Sequence, residues 1–309
     1  MDLQTIGLVG LGLVGQAIAQ RLRAGGVRVI GYDLRPEAGE VFHGQGGETA
    51  GSLARLGEQV DTVVLAVFDT HGVLDVVERE DGLLSGPHRI KHIVDCSTGS
   101  PDELQCLSRR LQSRGIDFIE APLSGSSEQI AAGQAVALVG AQEGAWQSAK
   151  PLFDLVAARS IHVGAAGMGA KAKLATNLVL GLNRAVFAEG MVFAESLGIA
   201  PQRFLELVLG TPAHSHAAQA KGPLMVAGDF APRSRIRQHQ KDVGLMLEAA
   251  KKNGLDLPFS RVHAALLAEA VKQGRGDLDN AAIVLQLRES TRASSGLLRP
   301  RRARTGRDD

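Results

Sequence analysis

Over roughly its first 163 residues the chain alternates short apolar runs with amphipathic stretches. One run ends at Gly10, and a second covers Val27–Tyr32, with the amphipathic segment Gln16–Leu22 between them. Further runs at Thr62–Val67, Ile90–Asp95, Phe118–Ala121 and Val136–Val139 have the length and continuous hydrophobicity of buried strands. Val73–Val77, Glu103–Leu111 and Ala145–Leu155 read as helices, and Pro101 before Asp102 and Glu103 marks a helix start. Alternating strands and helices predict an α/β region with a mostly parallel, doubly wound sheet. Residues 164–170 break the alternation, and the pattern is then helical to about Leu287. Breaks fall at Gly210-Thr211-Pro212, Ala231-Pro232 and Leu257-Pro258. A C-terminal all-α domain is therefore expected, joined to the sheet by a long helix from about Ala170 to Leu197.

The first strand–helix junction carries chemistry. It reads Gly10-Leu11-Gly12-Leu13-Val14-Gly15, and the second apolar run closes on Asp33, 18 residues after Gly15. Strand, tight turn, helix, strand and acid in this register are the dinucleotide-binding fingerprint of a Rossmann-type domain. The glycines serve the turn, close approach of a pyrophosphate, and helix-on-sheet packing. The helix N-terminus offers free N–H groups and partial positive charge to that pyrophosphate. A carboxylate at Asp33 accepts from a ribose 2′-OH and repels a 2′-phosphate, which favours NAD. Arg35, two residues on, leaves NADP possible. The candidate cofactor contacts are Gly10 through Gly15, Asp33, Leu34, Val67, Phe68, Thr98 and Lys241.

Length and charge narrow the classes. A chain of 309 residues has room for two domains, here 1–164 and 165–290, followed by a basic tail over 291–309 expected to be disordered. A net charge of +1 offers no general attraction to nucleic acid or anionic membrane. The 170–197 stretch is apolar on most sides but carries Lys171, Lys173, Arg184, Glu189 and Glu195, so it reads as a buried helix and not a membrane span. Cys96 and Cys106 form no disulfide framework, and the chain opens directly on its nucleotide unit, which fits the cytoplasm. The histidines do not pair with cysteines or carboxylates at ligand spacing, so no metal is expected.

Polar groups on the long helix are the next candidates. Lys173 and Asn177 are four apart and share a face. Spacing alone fits equally an interdomain hydrogen-bond network and a lysine tuned by burial for proton transfer, with Lys171 as a rival. Ser124-Gly125-Ser126 follows a predicted strand, where open α/β sheets bind ligands, and could hold a carboxylate. Thr98 lies after another strand and could touch the cofactor or the substrate. Lys241-Asp242 taken alone reads as a solvated helix face.

Taken in order, these motifs resemble the β-hydroxyacid dehydrogenase family, which includes 3-hydroxyisobutyrate dehydrogenase and tartronate semialdehyde reductase. The resemblance spans about residues 3 to 290. It rests on the glycine loop, Ser97-Thr98 with Pro101, Ala121-Pro122-Leu123-Ser124-Gly125, Gly167-Met168-Gly169-Ala170-Lys171-Ala172-Lys173 with Asn177, and Lys241-Asp242. It implies an NAD(P)-dependent oxidoreductase interconverting a small 3-hydroxy acid and its aldehyde- or keto-acid. Lys173 would be the general acid/base, with Asn177 holding it or the substrate. Ser124, Gly125 and Ser126 would bind the substrate carboxylate, Thr98 would sit beside nicotinamide and substrate, and Lys241 would lie at their junction, supported by Asp242. The all-α domain would serve substrate binding and assembly into a homodimer or homotetramer.

Two departures point to a more polar substrate. Ser126 stands where the family often has glycine, and Ser234 where an aromatic wall is usual. Two other readings share the architecture: an imine reductase-like enzyme, which Lys173 disfavours, and a non-catalytic dinucleotide-binding regulator, which has little need of a proton donor.

Overall fold

A computed structural model describes residues 1–289. The expected basic tail lies outside the described residues. In chain order the first part runs β1 (Thr5–Val9), α1 (Leu13–Ala24), β2 (Arg28–Tyr32), α2 (Pro36–Gly44), β3 (Glu48–Thr49), α3 (Leu53–Gln59), β4 (Thr62–Leu65) and α4 (Thr70–Glu78). It continues with β5 (His92–Asp95), α5 (Pro101–Gln112), β6 (Asp117–Glu120), β7 (Leu123–Ser124), α6 (Ser127–Ala131), β8 (Val136–Gly140), α7 (Glu143–Val156) and β9 (Arg159–Gly164). The helices α8 (Met168–Ser196), α9 (Pro201–Leu209), α10 (His216–Ala227), α11 (Ile236–Lys252) and α12 (Pro258–Lys272) follow.

Among the described residues the strands form one sheet in the order β3-β2-β1-β4-β5-β6-β8-β7, with β9 beside β8. Pairing is parallel from β3 across to β6, then turns antiparallel at Glu120 opposite Gly140 and between β7 and β8. The central strands are apolar within, with polar residues only at their ends, because both faces are covered. Adjacent residues show it: Val64 packs with Leu8, Ile18, Val94 and Phe153, whereas Val63 packs with Leu56, Val73, Ile93 and Leu107 on the other face. Helix starts follow local chemistry. Asp69 accepts from the Gly72 N–H at the head of α4, and Pro101, Asp102 and Glu103 occupy the first turn of α5.

The described chain divides into two compact units, one of Met1–Leu178 with Lys241–Asp256, the other of Val179–Gln240 with the described residues from Leu257 onward. The division runs through α8 and α11, so the first turns of α8 and the last turns of α11 belong with the sheet. The strand β9 was not among the sequence-predicted runs. Most of its residues are only half-buried, so no continuous apolar signal marks it. The second unit holds α9, α10 and α12 with the rest of α8 and α11, and its one recorded strand pairing is an isolated bridge between Arg235 and Asp279.

Candidate active site at the carboxyl ends of the strands

The turn after β1 gives each glycine a separate task. Gly10 has a φ of 93°, a left-handed conformation, and a Cβ there would lie 2.4 Å from the Ala66 carbonyl oxygen. A Cβ on Gly15 would meet the Gly10 carbonyl oxygen at 1.8 Å, so α1 can press onto the turn only with glycine there. Gly12 is different: its nearest neighbour would be the Arg35 guanidinium at 3.8 Å, which leaves the backbone open to a ligand. The Asp33 carboxylate ties the loop in place, accepting the Leu11 N–H at 2.8 Å and the Arg35 N–H at 2.9 Å. The Arg35 side chain adds bonds from Nε and Nη2 at 3.1 Å each. Burial pushes the Asp33 carboxyl up, but the bonds from Arg35 and Leu11 outweigh it and hold it below the usual carboxylate range. Leu34 and Phe68, which follow β2 and β4, leave apolar surface exposed beside this loop. The Val67 N–H is turned away, donating to Ser97 Oγ at 3.0 Å.

A connected polar set lies in the same unit. Lys173, 7% exposed, donates from Nζ to the Leu123 carbonyl at 2.7 Å. One turn on, Asn177 Nδ2 donates to Asp242 Oδ2 at 3.1 Å. Asp242 Oδ1 is 3.1 Å from Lys241 Nζ. Lys241 also donates to the Phe68 carbonyl at 2.9 Å and to the Thr98 carbonyl, with its ammonium 5.5 Å from the Phe68 ring centroid. The loops after β4 and β5, the strand β7, the first turns of α8 and the later turns of α11 are thereby joined. Burial lowers the Lys173 pKa to about 8, helped by Lys241 and opposed by Asp242. Such a group exchanges a proton near neutrality and can still stabilise developing negative charge as a cation. Lys171 is exposed and takes no part in the set. Thr176 bonds back to the Ala172 carbonyl on its own helix.

The residues of the loop at Ser124 are held differently. Ser124 and Gly125 leave β7 partly exposed. Ser126, by contrast, caps α6: its Oγ accepts from the Gln129 N–H and its own N–H donates to Gln129 Oε1, a complete capping box. In the second unit Ser234 is engaged likewise, its Oγ accepting from Asn280 Nδ2 at 3.0 Å and its N–H donating to Asp279. The two hydroxyls thus each accept an internal bond, and each keeps its own O–H as a donor.

Two acids escaped the sequence reading. Asp95 and Glu120 end β5 and β6, face each other in register, and are each 1% exposed. Glu120 Oε2 accepts the Gly167 N–H, and the N–H groups of Gly169 and Ala170 add to it at the head of α8. The backbone there is close-packed, since a Cβ on Gly169 would lie 2.9 Å from both the Gly140 nitrogen and the Leu138 carbonyl oxygen. Glu120 therefore fastens the first turn of the helix that carries Lys173. Burial raises its pKa to about 8, reinforced by Asp95, and raises that of Asp95 to about 6. The signal was an acid closing an apolar strand, the same signal that marks Asp33. Among the described residues no three His, Cys, Asp or Glu side chains gather in a way that could hold a metal ion.

Comparison with known proteins adds the following. Residues 5–164 match the model of the NAD binding domain of 6-phosphogluconate dehydrogenase. Residues 167–287 match that described as NAD-binding of NADP-dependent 3-hydroxyisobutyrate dehydrogenase. The chain is 30% identical to a 2-hydroxy-3-oxopropionate reductase of Escherichia coli over 282 residues, 91% of this chain and 96% of that one. It is 29% identical to a 2-(hydroxymethyl)glutarate dehydrogenase of Eubacterium barkeri, over 90% of this chain and 93% of the relative. A crystal structure of 3-hydroxyisobutyrate dehydrogenase from Salmonella typhimurium superposes with a TM-score of 0.81 at 27% identity, covering 91% of this chain and 98% of that one.

Proposed function

Since the chain belongs to the β-hydroxyacid dehydrogenase family, we propose that it interconverts a small 3-hydroxy acid and its aldehyde- or keto-acid, with Lys173 as general acid/base. It is an oxidoreductase that uses a nicotinamide dinucleotide. The observation that carries the finer reading is Lys173 itself, a buried amine with a lowered pKa, held on the Leu123 carbonyl beside the Asn177–Asp242–Lys241 set.

The residues present fit the cofactor. The open backbone at Gly12 and the N-terminus of α1 suit a pyrophosphate, and Asp33 suits a ribose hydroxyl. Val67 and Phe68 follow β4 and Thr98 follows β5, where the rest of a dinucleotide would lie, and Lys241 reaches both loops from α11. The cofactor supplies or takes the hydride. The chain's own part is to orient the substrate and to move the proton. In reduction the Lys173 ammonium donates to the carbonyl oxygen as negative charge grows there; in oxidation the neutral amine accepts the hydroxyl proton. Ser124, Gly125 and Ser126 are proposed to hold the substrate carboxylate, the last through the O–H that its cap leaves free to donate. Asp33 supports NAD over NADP.

Assembly is also proposed. Val179, Val186 and Phe193 recur every seven residues along α8 in the second unit and are 56%, 65% and 65% exposed, a stripe suited to a second copy of the chain. Light scattering of wild type against Phe193→Asp tests this; a wild-type monomer would refute it. No described helix is long and apolar enough to cross a membrane. The unpaired thiols of Cys96 and Cys106 suit the reducing cytoplasm, which we propose as its location. The central test is cofactor absorbance against a panel of hydroxy acids and aldehyde-acids, with wild type and Lys173→Ala side by side. Turnover lost in the variant while dinucleotide binding persists is expected. Equal turnover in the two proteins would overturn the assignment.

A further inference from the structure

Among the described residues, the second unit contains a buried charge that its own acids do not balance. Arg184, on α8, is 4% exposed, and its Nε and Nη2 atoms are buried with no hydrogen-bond partner. The carboxylate that acts on it is Asp279, which is fully buried. That carboxylate is already saturated. Its Oδ1 accepts Lys221 Nζ at 2.8 Å and the Ala281 N–H at 2.9 Å. Its Oδ2 accepts Lys221 Nζ at 2.9 Å, the Ser234 N–H at 3.0 Å and the Arg233 N–H at 3.2 Å. The Lys221 ammonium neutralises it. Arg233, also within electrostatic reach of Lys221, pairs with Asp229 at 2.8 Å. Three cations, Arg184, Lys221 and Arg233, thus face two anions, Asp279 and Asp229. One positive charge is left over, and Arg184 is the cation without a carboxylate of its own.

The surroundings suit an anion. His263, 3% exposed, is within electrostatic reach of Arg184, and its Nε2 is also buried without a hydrogen bond. Burial, with Arg184 assisting, holds its pKa down to about 4, so the ring is neutral and adds no cation. A neutral imidazole can still donate one N–H. Gly181, one turn before Arg184, lets the two imidazoles approach the helix: a Cβ there would lie 2.4 Å from His239 Nε2 and 3.2 Å from His263 Cε1, so His263 is held against the turn that carries Arg184. A buried guanidinium with unmade bonds is strongly unfavourable, and a bound counter-ion removes that cost.

We propose that Arg184, with His263 beside it, binds a small monoanion, either a halide or a carboxylate. The site is independent of the hydride chemistry, so its test needs no turnover. Thermal unfolding of the full chain would be followed in rising potassium bromide or formate. The reference is an equal ionic strength of a bulky sulfonate. Wild type should gain roughly 2–4 °C as the site fills, and Arg184→Met should not respond. Replacing a buried unbalanced charge by an apolar side chain is commonly tolerated, so the variant should fold. Wild-type crystals grown from bromide decide the matter independently, through an anomalous peak at Arg184. Response to formate at lower concentration than bromide identifies a carboxylate as the natural occupant; the reverse identifies a halide. No anion-specific shift with no peak, or an equal shift in Arg184→Met, would overturn the proposal.

Discussion

Two buried ion clusters, one in each unit, are built on opposite plans. In the second unit Asp279 accepts five hydrogen bonds from four residues and carries its own cation, Lys221. In the sheet unit Lys173 makes a single recorded bond, to a carbonyl, and its ammonium keeps donors in hand. A saturated group has nothing left to offer a ligand and holds the chain together. An under-used group of shifted pKa, at the carboxyl end of a parallel sheet, is poised for chemistry. The contrast separates stability from activity, and it can be attacked from both sides.

The largest effect should come from Lys173→Ala. Losing the proposed general acid should cut turnover about 10²–10⁴-fold, with dinucleotide affinity, read by fluorescence titration, little changed. The thermal midpoint should not fall, because a desolvated amine is removed. Wild type carries a matching pH signature. With the pKa lowered to about 8, reduction, which needs the ammonium, should fade as pH rises through 8, and oxidation should grow over the same range. The folding linkage has the corresponding sign. The folded state binds its proton less readily than the unfolded chain, so this group favours folding above the ordinary lysine range, and that contribution is lost as pH falls through about 8. Rate profiles centred elsewhere in both directions would separate Lys173 from the proton transfer.

Asp279→Ala should do the reverse. It strands Lys221 beside Arg184 in a buried setting, at about 3–5 kcal/mol of stability. Denaturant unfolding should show the loss, while the protein that remains folded keeps a normal KM. A stable variant with altered KM would mean that this cluster serves the substrate and the contrast is false.

Glu120 lies between the two plans, since it is buried like Asp279 but has one oxygen without a partner. Glu120→Gln keeps its shape and removes its capacity to ionise. Relative to wild type, turnover should fall by about tenfold above pH 8, where the ionised carboxylate makes a charge-assisted hydrogen bond at the head of α8, with cofactor KM unchanged, and Glu120→Asp should not restore the reach. Wild type should lose stability from this group as pH rises from the carboxylate range through about 8, where its carboxyl ionises, and the glutamine variant should lack that slope. Unchanged turnover in both variants would reduce Glu120 to a core residue.

What could be read from the chain was local. The strand–turn–helix at Gly10–Gly15, the acid at Asp33, the helix start at Pro101 and the four-residue spacing of Lys173 and Asn177 all lie within short windows where period and turn chemistry act. The contacts that make the site join distant residues. Glu120 meets a backbone 47 positions away, Lys241 reaches the Phe68 carbonyl across 173, and Asn177 reaches Asp242 across 65. No periodicity encodes such pairings, and Lys241-Asp242 accordingly reads as a solvated face until the fold brings it to the sheet. Ser126 and Ser234 add contacts that no period reveals: each hydroxyl also accepts a bond, from the Gln129 N–H in a helix cap and from the Asn280 amide.

Asp33 presses the comparison hardest, because it is satisfied like Asp279 and yet is proposed to choose the cofactor. Its carboxylate takes the Leu11 N–H, the Arg35 N–H and two bonds from the Arg35 guanidinium. The difference lies in the partner. The Lys221 side chain, 11% exposed, is held against Asp279, whereas the Arg35 side chain is 63% exposed and can swing away when a ribose arrives, so the bonds to Asp33 can be exchanged for others. The Leu11 bond cannot be exchanged without moving the glycine loop. Asp33→Asn should therefore keep the loop, through an amide oxygen facing Leu11, while removing the charge that repels a 2′-phosphate and freeing Arg35 to meet one. Preference should shift toward NADPH by about tenfold in the ratio of kcat/KM values, roughly one charged hydrogen bond, with the thermal midpoint almost unmoved. Asp33→Ala, which also drops the Leu11 acceptor, should weaken both cofactors. If the asparagine variant lost both cofactors equally, Asp33 would act through the loop alone, and saturation would mark a structural carboxylate here as it does at Asp279.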